Sequence, residues 1–257
     1  MPASTERPRK GGGGNATASG IFYQGGVGAL FASRMLVELP LGNLLGLADT
    51  RIKSIRFETN APVDDILLET DQGGIVAIQA KSTITMGTAL DSVLGSVVDQ
   101  FVRFWIAAQG GSSLEVWARP LDPARDRLLM VHGPGSGAKI ARLAHALAGM
   151  RPDGPLGELR DTFEDLIRQS FAKNGQAADA EEIARLIRCI AFIELDPADR
   201  DRQLAIEALT PVLGSRDEAN RCFDVLSQIS IEQMKRRGGF DSALLRSELT
   251  LSLIHIS

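Results

Sequence analysis

The sequence predicts an α/β protein in which helices flank a mixed β-sheet. Three short segments with strand-like patterns lie between residues 51 and 82, and a long amphipathic segment over 89–108 follows them. Helical periodicity dominates from residue 138 onward and is interrupted by one short apolar run. A chain of 257 residues holds one large domain, or one domain with an appendage, and is long enough to bury a substantial core.

The composition is ordinary for a globular protein, with 44% hydrophobic and 23% charged residues. A net charge of −4 argues against a protein that coats DNA without specificity. No apolar run reaches the ~18 residues of a membrane-spanning helix, and the N-terminus lacks the apolar segment of a signal peptide. Cys189 and Cys222 lie far apart in apolar segments, which predicts buried, reduced thiols in a cytoplasmic protein.

The first 18 residues are rich in Gly, Ser, Thr and Pro and predict a flexible leader. The first helix is expected to begin near Ser19 and to end at Pro40, because proline cannot continue a helix. Gly25, Gly26 and Gly28 are poor helix formers. Their presence predicts that another part of the backbone packs closely against this helix.

The next segments predict an antiparallel meander of three strands. Residues 51–59 alternate between polar and apolar side chains, whereas 64–70 and 75–82 contain apolar runs. The last two runs are joined by Asp71-Gln72-Gly73-Gly74, whose glycines can take the positive φ angles of a hairpin turn. Further strands are expected at 114–117, 128–132 and 189–195. Amphipathic helices are expected over 89–108, 138–150, 157–173, 178–188, 201–213, 217–236 and 240–249.

Polar residues at the ends of the hairpin strands form the strongest functional signal. Asp65 and Gln79 lie 14 positions apart, and Lys81 follows Gln79 by two. Side chains at i and i+2 share one face of a strand, so Gln79 and Lys81 project together. In this D…QxK pattern, Asp65, Gln79 and the carbonyl of Ala80 would hold Mg²⁺ or Mn²⁺, and Lys81 would lie beside the attacked phosphate. The pattern therefore indicates metal-dependent hydrolysis of a phosphodiester.

The neutral side chain of Gln79 leaves this site one carboxylate short, and Mg²⁺ prefers anionic oxygen. Asp64 or Glu58 can supply the missing charge. The alternative interpretation is structural, with Gln79 and Lys81 forming the solvated face of an edge strand. Spacing alone does not separate the two interpretations.

The order of the motifs resembles a known bacterial family. Gly20-Ile-Phe-Tyr23-Gln24 opens a helix, Phe57-Glu58 and Asp64-Asp65-Ile66 follow, and Ile78-Gln79-Ala80-Lys81 ends the series. In this order the motifs are similar to the double-stranded-DNA endonuclease domain of anti-phage effectors of the CD-NTase-associated protein four type. That family is a branch of the restriction-endonuclease-like PD-(D/E)xK fold and also uses QxK. The motifs cover roughly residues 19–132.

The resemblance implies a restriction-endonuclease-like mixed sheet flanked by helices, with a C-terminal helical extension. It implies that Asp65 and Gln79 are metal ligands, that Lys81 is the catalytic lysine, and that Gln24 and Glu58 are supporting polar residues. The neighbouring Asp64 leaves the choice of the acidic ligand open. The implied activity is that of a Mg²⁺-dependent endonuclease that cleaves double-stranded DNA and forms homo-oligomers on activation.

The resemblance also implies a division into domains. Residues 1–18 would be the leader, 19–210 the nuclease domain, and 211–250 a helical connector to a C-terminal sensor or NTPase module outside this sequence. Residues 251–257, LSLIHIS, look like the translation of a transposon adapter used in shotgun sequencing. This tail predicts that the natural chain continues beyond residue 250.

A function of another class also fits the sequence, namely a catalytically silent nucleic-acid or protein interaction module on the same fold. Asp65 and Lys81 together favour the enzyme, because a binding module does not need both. Three other features have structural interpretations. The loop at 133–139 lacks the contiguous Gly-Lys-Ser/Thr of a phosphate loop. His132 and His145 are isolated, without a second metal ligand at the usual spacing. The basic run 235–237 matches a solvated helix end or a phosphate contact.

Overall fold

The computed structural model describes residues 13–47, 49–111, 115–148 and 157–254. The strands are β1 (Ile52–Phe57), β2 (Ile66–Thr70), β3 (Ile75–Lys81), β4 (Arg127–His132), β5 (Ile190–Glu194) and β6 (Gly239–Asp241). The helices are α1 (Gly13–Leu36), α2 (Gly42–Leu45), α3 (Val93–Gly110), α4 (Ala138–Leu147), α5 (Gly157–Lys173), α6 (Ala180–Cys189), α7 (Arg200–Leu213), α8 (Arg216–Arg236) and α9 (Ser242–Ile254).

The strands form one six-stranded mixed sheet in the order β5-β4-β3-β2-β1-β6. Strands β1, β2 and β3 pair antiparallel, as the meander predicts, and β6 pairs antiparallel with β1. Strands β3, β4 and β5 are parallel. The turn between β2 and β3 uses a positive φ of 68° at Gly73, which glycine adopts without steric cost. The prediction of an α/β fold with a mixed sheet is confirmed.

Helices cover both faces of the sheet. One face packs against α1, α7, α8 and α9 through residues such as Val76 and Ile78, and the other packs against α3, α4, α5 and α6 through Ile75 and Ala77. Strand β3 lies inside the sheet with both faces covered. This position explains its continuous apolar run, because alternation appears only where one face meets water.

Helix α1 packs closely against α8, and its glycines make the approach possible. A Cβ at Gly25 would lie 2.6 Å from the side chain of Ile231, and one at Gly28 would lie 2.7 Å from the hydroxyl of Ser230. At Gly26 the corresponding neighbour is Pro197, at 2.7 Å. The predicted close contact is therefore present, although most of the neighbouring atoms belong to side chains.

Some elements differ from the sequence expectation. Helix α1 begins at Gly13, inside the segment expected to be a leader. Residues 115–117 form a turn rather than a strand, and Trp117 is buried against Phe104, with ring centroids 5.3 Å apart. Leu114 lies outside the described residues. The segment expected as a connector supplies α8 and β6 to the same body.

The two ends of the chain are described only in part. Residues 1–12 of the expected leader lie outside the described residues, as do 255–257 of the expected adapter tail. Helix α9 reaches Ile254. Within the described ranges, no helix combines the length and the apolar character needed to cross a membrane.

Candidate functional site

The hairpin of β2 and β3 brings the predicted acid and amide into direct contact. Ile66 pairs with Ile78 in the antiparallel register, so Asp65 and Gln79 follow at the next positions. The side-chain amide of Gln79 donates a hydrogen bond to Asp65, with 2.5 Å between Nε2 and Oδ2. The backbone N–H of Ala80 donates to the same oxygen at 2.8 Å. These two donors fix the orientation of the Asp65 carboxylate.

Both residues of this pair are buried, Asp65 with 7% and Gln79 with 1% of its surface exposed. The alternative of a solvated edge strand is therefore excluded for Gln79, which lies on an inner strand. The Oε1 atom of Gln79 has no hydrogen-bond partner within the described part of the chain. A buried polar atom without a partner is costly, so this oxygen is ready to accept a ligand.

Burial dominates the electrostatics of Asp65 and raises its pKa to about 6. The hydrogen bond from Ala80, the positive charge of Lys81 and a hydrogen bond from the Gln24 side chain lower the pKa and offset part of this effect. The carboxylate is therefore ionised at pH 7 and takes up a proton in mildly acidic solution.

Glu58 and Asp64 lie beside this pair. The backbone N–H of Glu58 donates to the Asp65 carbonyl at 3.1 Å, and that of Thr59 donates to the Asp64 carbonyl at 3.0 Å. Burial raises the pKa of Glu58, and the charges of Asp65 and Asp64 raise it further. Glu58 also has a left-handed backbone with φ 47°, a conformation that costs energy in a non-glycine residue and often occurs at functional sites.

Two positively charged side chains lie beside the acidic residues. Lys81 is half-buried at the end of β3, and its charge lowers the pKa values of both Asp65 and Glu58. Arg237, the left-handed residue that ends α8, also lowers the pKa of Glu58. The sequence interpretation left the role of Arg237 open. The two glycines after it signal the tight chain reversal into β6 that places it here.

The structure thus gathers Gln24, Glu58, Asp64, Asp65, Gln79, Ala80 and Lys81 in one place. Within the described residues, no group of three or more His, Cys, Asp or Glu side chains could hold a metal ion. A cation here would depend on the Asp65 carboxylate and on the neutral oxygens of Gln79 and Ala80. The free Oε1 atom of Gln79 fits an oxygen-binding cation such as Mg²⁺.

The remaining candidate residues lie outside this cluster. His132 is buried, its Nδ1 lies 3.2 Å from the Gly133 carbonyl, and burial lowers its pKa. His145 is exposed on α4. The loop at 133–139 connects β4 to α4, and its Ser136 hydroxyl accepts a hydrogen bond from the backbone N–H of Ile84. Cys189 and Cys222 are buried free thiols.

Solved structures share this fold. The chain is similar to the Acinetobacter baumannii Cap4 SAVED/CARF-domain containing receptor solved with the cyclic trinucleotide 3'3'3'-cAAA, with 12% identity and a TM-score of 0.51 over 91% of this chain and 45% of that chain. A second structure of this receptor gives 11% identity and a TM-score of 0.50 over 92% of this chain and 47% of that chain. The chain spans less than half the length of these neighbours.

No model of a protein family matches the sequence, and no curated protein matches it either. The solved neighbours correct the functional prediction, because both are SAVED/CARF-domain containing receptors. The predictions of an anti-phage endonuclease domain, of a Mg²⁺-dependent phosphodiester hydrolase and of double-stranded DNA as the partner are contradicted.

The functional prediction failed because the short D…QxK motif does not by itself specify a nuclease site. Its spacing brings a carboxylate, an amide and an ammonium group together at a hairpin, but it does not supply a second anionic ligand. In the structure the amide nitrogen of Gln79, rather than its oxygen, faces Asp65. The same three residues therefore suit a preorganised polar binding site.

Proposed function

We propose that this chain is a catalytically silent interaction module that binds a phosphate-bearing nucleotide ligand. The observation that carries the proposal is the fold shared over 91% of the chain with a receptor solved with a cyclic trinucleotide. Cyclic oligonucleotides combine phosphodiester groups with bases, so a module that binds one needs positive charge beside polar and aromatic surfaces.

The cluster around Asp65 supplies the charged part of such a site. Lys81 and Arg237 lie beside it and provide positive charge for a phosphate group. Asp65, Gln79 and the Ala80 carbonyl would hold Mg²⁺ or Mn²⁺, which would supply further positive charge between the carboxylate and the ligand phosphate. The hydrogen bonds to Asp65 prepare the site, because they hold the carboxylate before any ligand arrives.

A binding function also agrees with the neutral side chain at position 79. Gln79 stands where a second anionic ligand would be needed to position a cation for hydrolysis. The proposal places the module in a bacterial defence receptor in the cytoplasm, where the buried free thiols of Cys189 and Cys222 stay reduced.

Titration calorimetry with 3'3'3'-cAAA in the presence of Mg²⁺ tests the proposal. The chain should bind the cyclic trinucleotide, and Lys81→Ala should weaken binding about 10- to 100-fold through loss of a charged phosphate contact. Lys53→Ala removes an exposed lysine on β1 and is the matched control. Failure of the wild-type chain to bind would overturn the proposal. So would Mg²⁺-dependent cutting of plasmid DNA that disappears in Lys81→Ala.

A further inference from the structure

A cleft with a volume of about 560 Å³ opens at the carboxyl ends of the three parallel strands. Its floor is formed by the segments that follow them, Ser82–Thr83 after β3, Gly133–Gly135 after β4 and Asp196–Ala198 after β5. Ligands of α/β proteins bind at this end of parallel strands. The volume lies within the range of about 300–1,000 Å³ that holds small-molecule ligands.

The shape of the cleft is set by close packing beneath it. A Cβ at Gly133 would overlap the carbonyl oxygen of Ser82, and one at Gly26 would lie 2.7 Å from Pro197. The hydroxyl of Tyr23 donates a hydrogen bond to the Leu195 carbonyl at 3.2 Å, which fixes its ring in the wall. These contacts keep the segments that form the cleft closely packed against one another.

The lining of the cleft combines an exposed aromatic ring with carboxylates. Phe22 lines the cleft and keeps 70% of its surface exposed, which is unusual for a phenylalanine and leaves its ring available for stacking. Arg202 forms a two-point ion pair with Asp224, at 2.7 and 3.2 Å, and lies 5.1 Å above the ring of Phe223. With Asp196 also present, the lining has one more negative than positive charge.

This charge balance decides which part of a nucleotide the cleft can take. Arg202 and Asp224 offset each other's charge, so a phosphate would meet the remaining carboxylate of Asp196 and anionic groups are disfavoured. A base that carries an exocyclic amino group suits the same lining, because carboxylates accept hydrogen bonds from amino groups and aromatic rings stack on bases. Lys81 immediately precedes Ser82, so the phosphate site and the cleft are adjacent.

The geometry points to a nucleobase pocket in this cleft, in which an amino-bearing base of the ligand stacks on Phe22 and donates a hydrogen bond to the carboxylate of Asp196. This inference rests on the proposed function, since it names the part of the nucleotide that lies beside the Lys81 site. Adenine is the first base to test, because it carries an exocyclic amino group and occurs in 3'3'3'-cAAA.

The chain offers its own reporter for the cleft. Tyr23 is the only tyrosine in the sequence, so protein containing 3-fluorotyrosine gives a single fluorine resonance from the cleft wall. Adenosine, which has no phosphate, should shift this resonance, and Phe22→Ala should weaken that binding about tenfold through loss of one base stack. Ser82→Trp, which places a large ring at an exposed position of the lining, should abolish the shift.

Ile21→Ala is the matched control, because Ile21 is the exposed neighbour of Phe22 on α1 and does not line the cleft. Absence of a shift at millimolar adenosine would overturn the pocket, as would equal adenosine affinities of Phe22→Ala and Ile21→Ala. Calorimetry with the cyclic trinucleotide separates the two proposals. If trinucleotide binding needs Lys81 but not Phe22, the nucleobase pocket is wrong and the proposed function stands. If adenosine gives a shift that depends on Phe22 but the trinucleotide does not bind, the pocket stands and the proposed function is wrong.

Discussion

The side chain of Gln79 donates a hydrogen bond to the carboxylate of Asp65 across the β2–β3 hairpin, at 2.5 Å. Both side chains are buried, so the ionisation of Asp65 and the orientation of the Gln79 amide depend on each other. The amide stabilises the ionised carboxylate, and the carboxylate holds the amide in one orientation. The chemistry of this site therefore depends on the pair rather than on either residue alone.

Replacement of Gln79 by glutamate should make the site dependent on a divalent cation. The new carboxylate would lie directly against Asp65, and two buried like charges repel each other. We expect the free energy of unfolding of Gln79→Glu in EDTA to be lower by about 3 kcal/mol. Millimolar Mg²⁺ should restore more stability to this variant than to the wild type, because only the folded site binds the ion.

Urea denaturation with EDTA or with Mg²⁺ measures both effects. Gln72→Glu makes the same chemical change at an exposed position in the hairpin turn, and its effect should stay within about 0.5 kcal/mol. If Mg²⁺ stabilises Gln79→Glu no more than Gln72→Glu, the assignment of Asp65 and Gln79 as cation ligands fails.

The raised pKa of Asp65 predicts that stability falls as pH rises. In the folded state this pKa is about 6, whereas an unfolded aspartate titrates near about 3.9. Between these values the folded chain binds more protons than the unfolded chain, so the free energy of unfolding decreases with increasing pH. The contribution of Asp65 amounts to about 3 kcal/mol between pH 4 and pH 7.

Denaturation in EDTA across this pH range tests the linkage. Asp65→Asn removes the titrating group and should flatten the decline, while Asp91→Asn, at an exposed position, should leave it unchanged. A profile of equal slope in wild type and Asp65→Asn would show that other groups cause the pH dependence.

Removal of the Gln24 side chain should move the pH-dependent fall in the free energy of unfolding to higher pH. The hydrogen bond from Gln24 lowers the pKa of Asp65, so its loss in Gln24→Ala raises that pKa above about 6. The informative measurement is the pH at the midpoint of the decline, since a residue that only packs would lower stability equally at every pH. Gln228→Ala, at an exposed site on α8, is the control and should leave the midpoint in place.

Two glycine-to-alanine changes in α1 should have opposite effects on stability. At Gly28 a Cβ would lie 2.7 Å from the Ser230 hydroxyl and 2.9 Å from Phe57, so Gly28→Ala should lower the free energy of unfolding by about 1–3 kcal/mol. At Gly20 a Cβ meets no atom within 4 Å, so Gly20→Ala should raise it by up to about 1 kcal/mol. Thermal denaturation of both variants decides this, and destabilisation of both would show that α1 needs glycine for another reason.

Much of the fold follows from local patterns in the sequence. The hairpin of β2 and β3 was predictable because Gly73 and Gly74 separate two apolar runs, and the antiparallel register then brings Asp65 to Gln79. The small strand β6 was not predictable, because Gly239–Asp241 is stabilised by pairing with β1 and has no pattern of its own. The turn at 115–117 was mistaken for a strand because Val116 and Trp117 are residue types that favour strands.

The gathering of the site residues was predictable, but their function was not. Strand periodicity places Gln79 and Lys81 on one face, yet it does not reveal that Gln79 would be fully buried with its amide nitrogen on Asp65. The contribution of Arg237 depends on the contact between the end of α8 and β1, which is a tertiary feature. Short motifs of polar residues specify an arrangement of groups, and the same arrangement can bind as well as cleave.

The contact between α1 and α8 also has a consequence for synthesis of the protein. Helix α1 ends at Leu36 and α8 begins at Arg216, so the face of α1 that packs against α8 stays uncovered until α8 has left the ribosome. At about 5–20 residues per second, its apolar face would wait on the order of ten seconds or more for its partner. We therefore expect nascent chains to depend on chaperones until α8 has emerged.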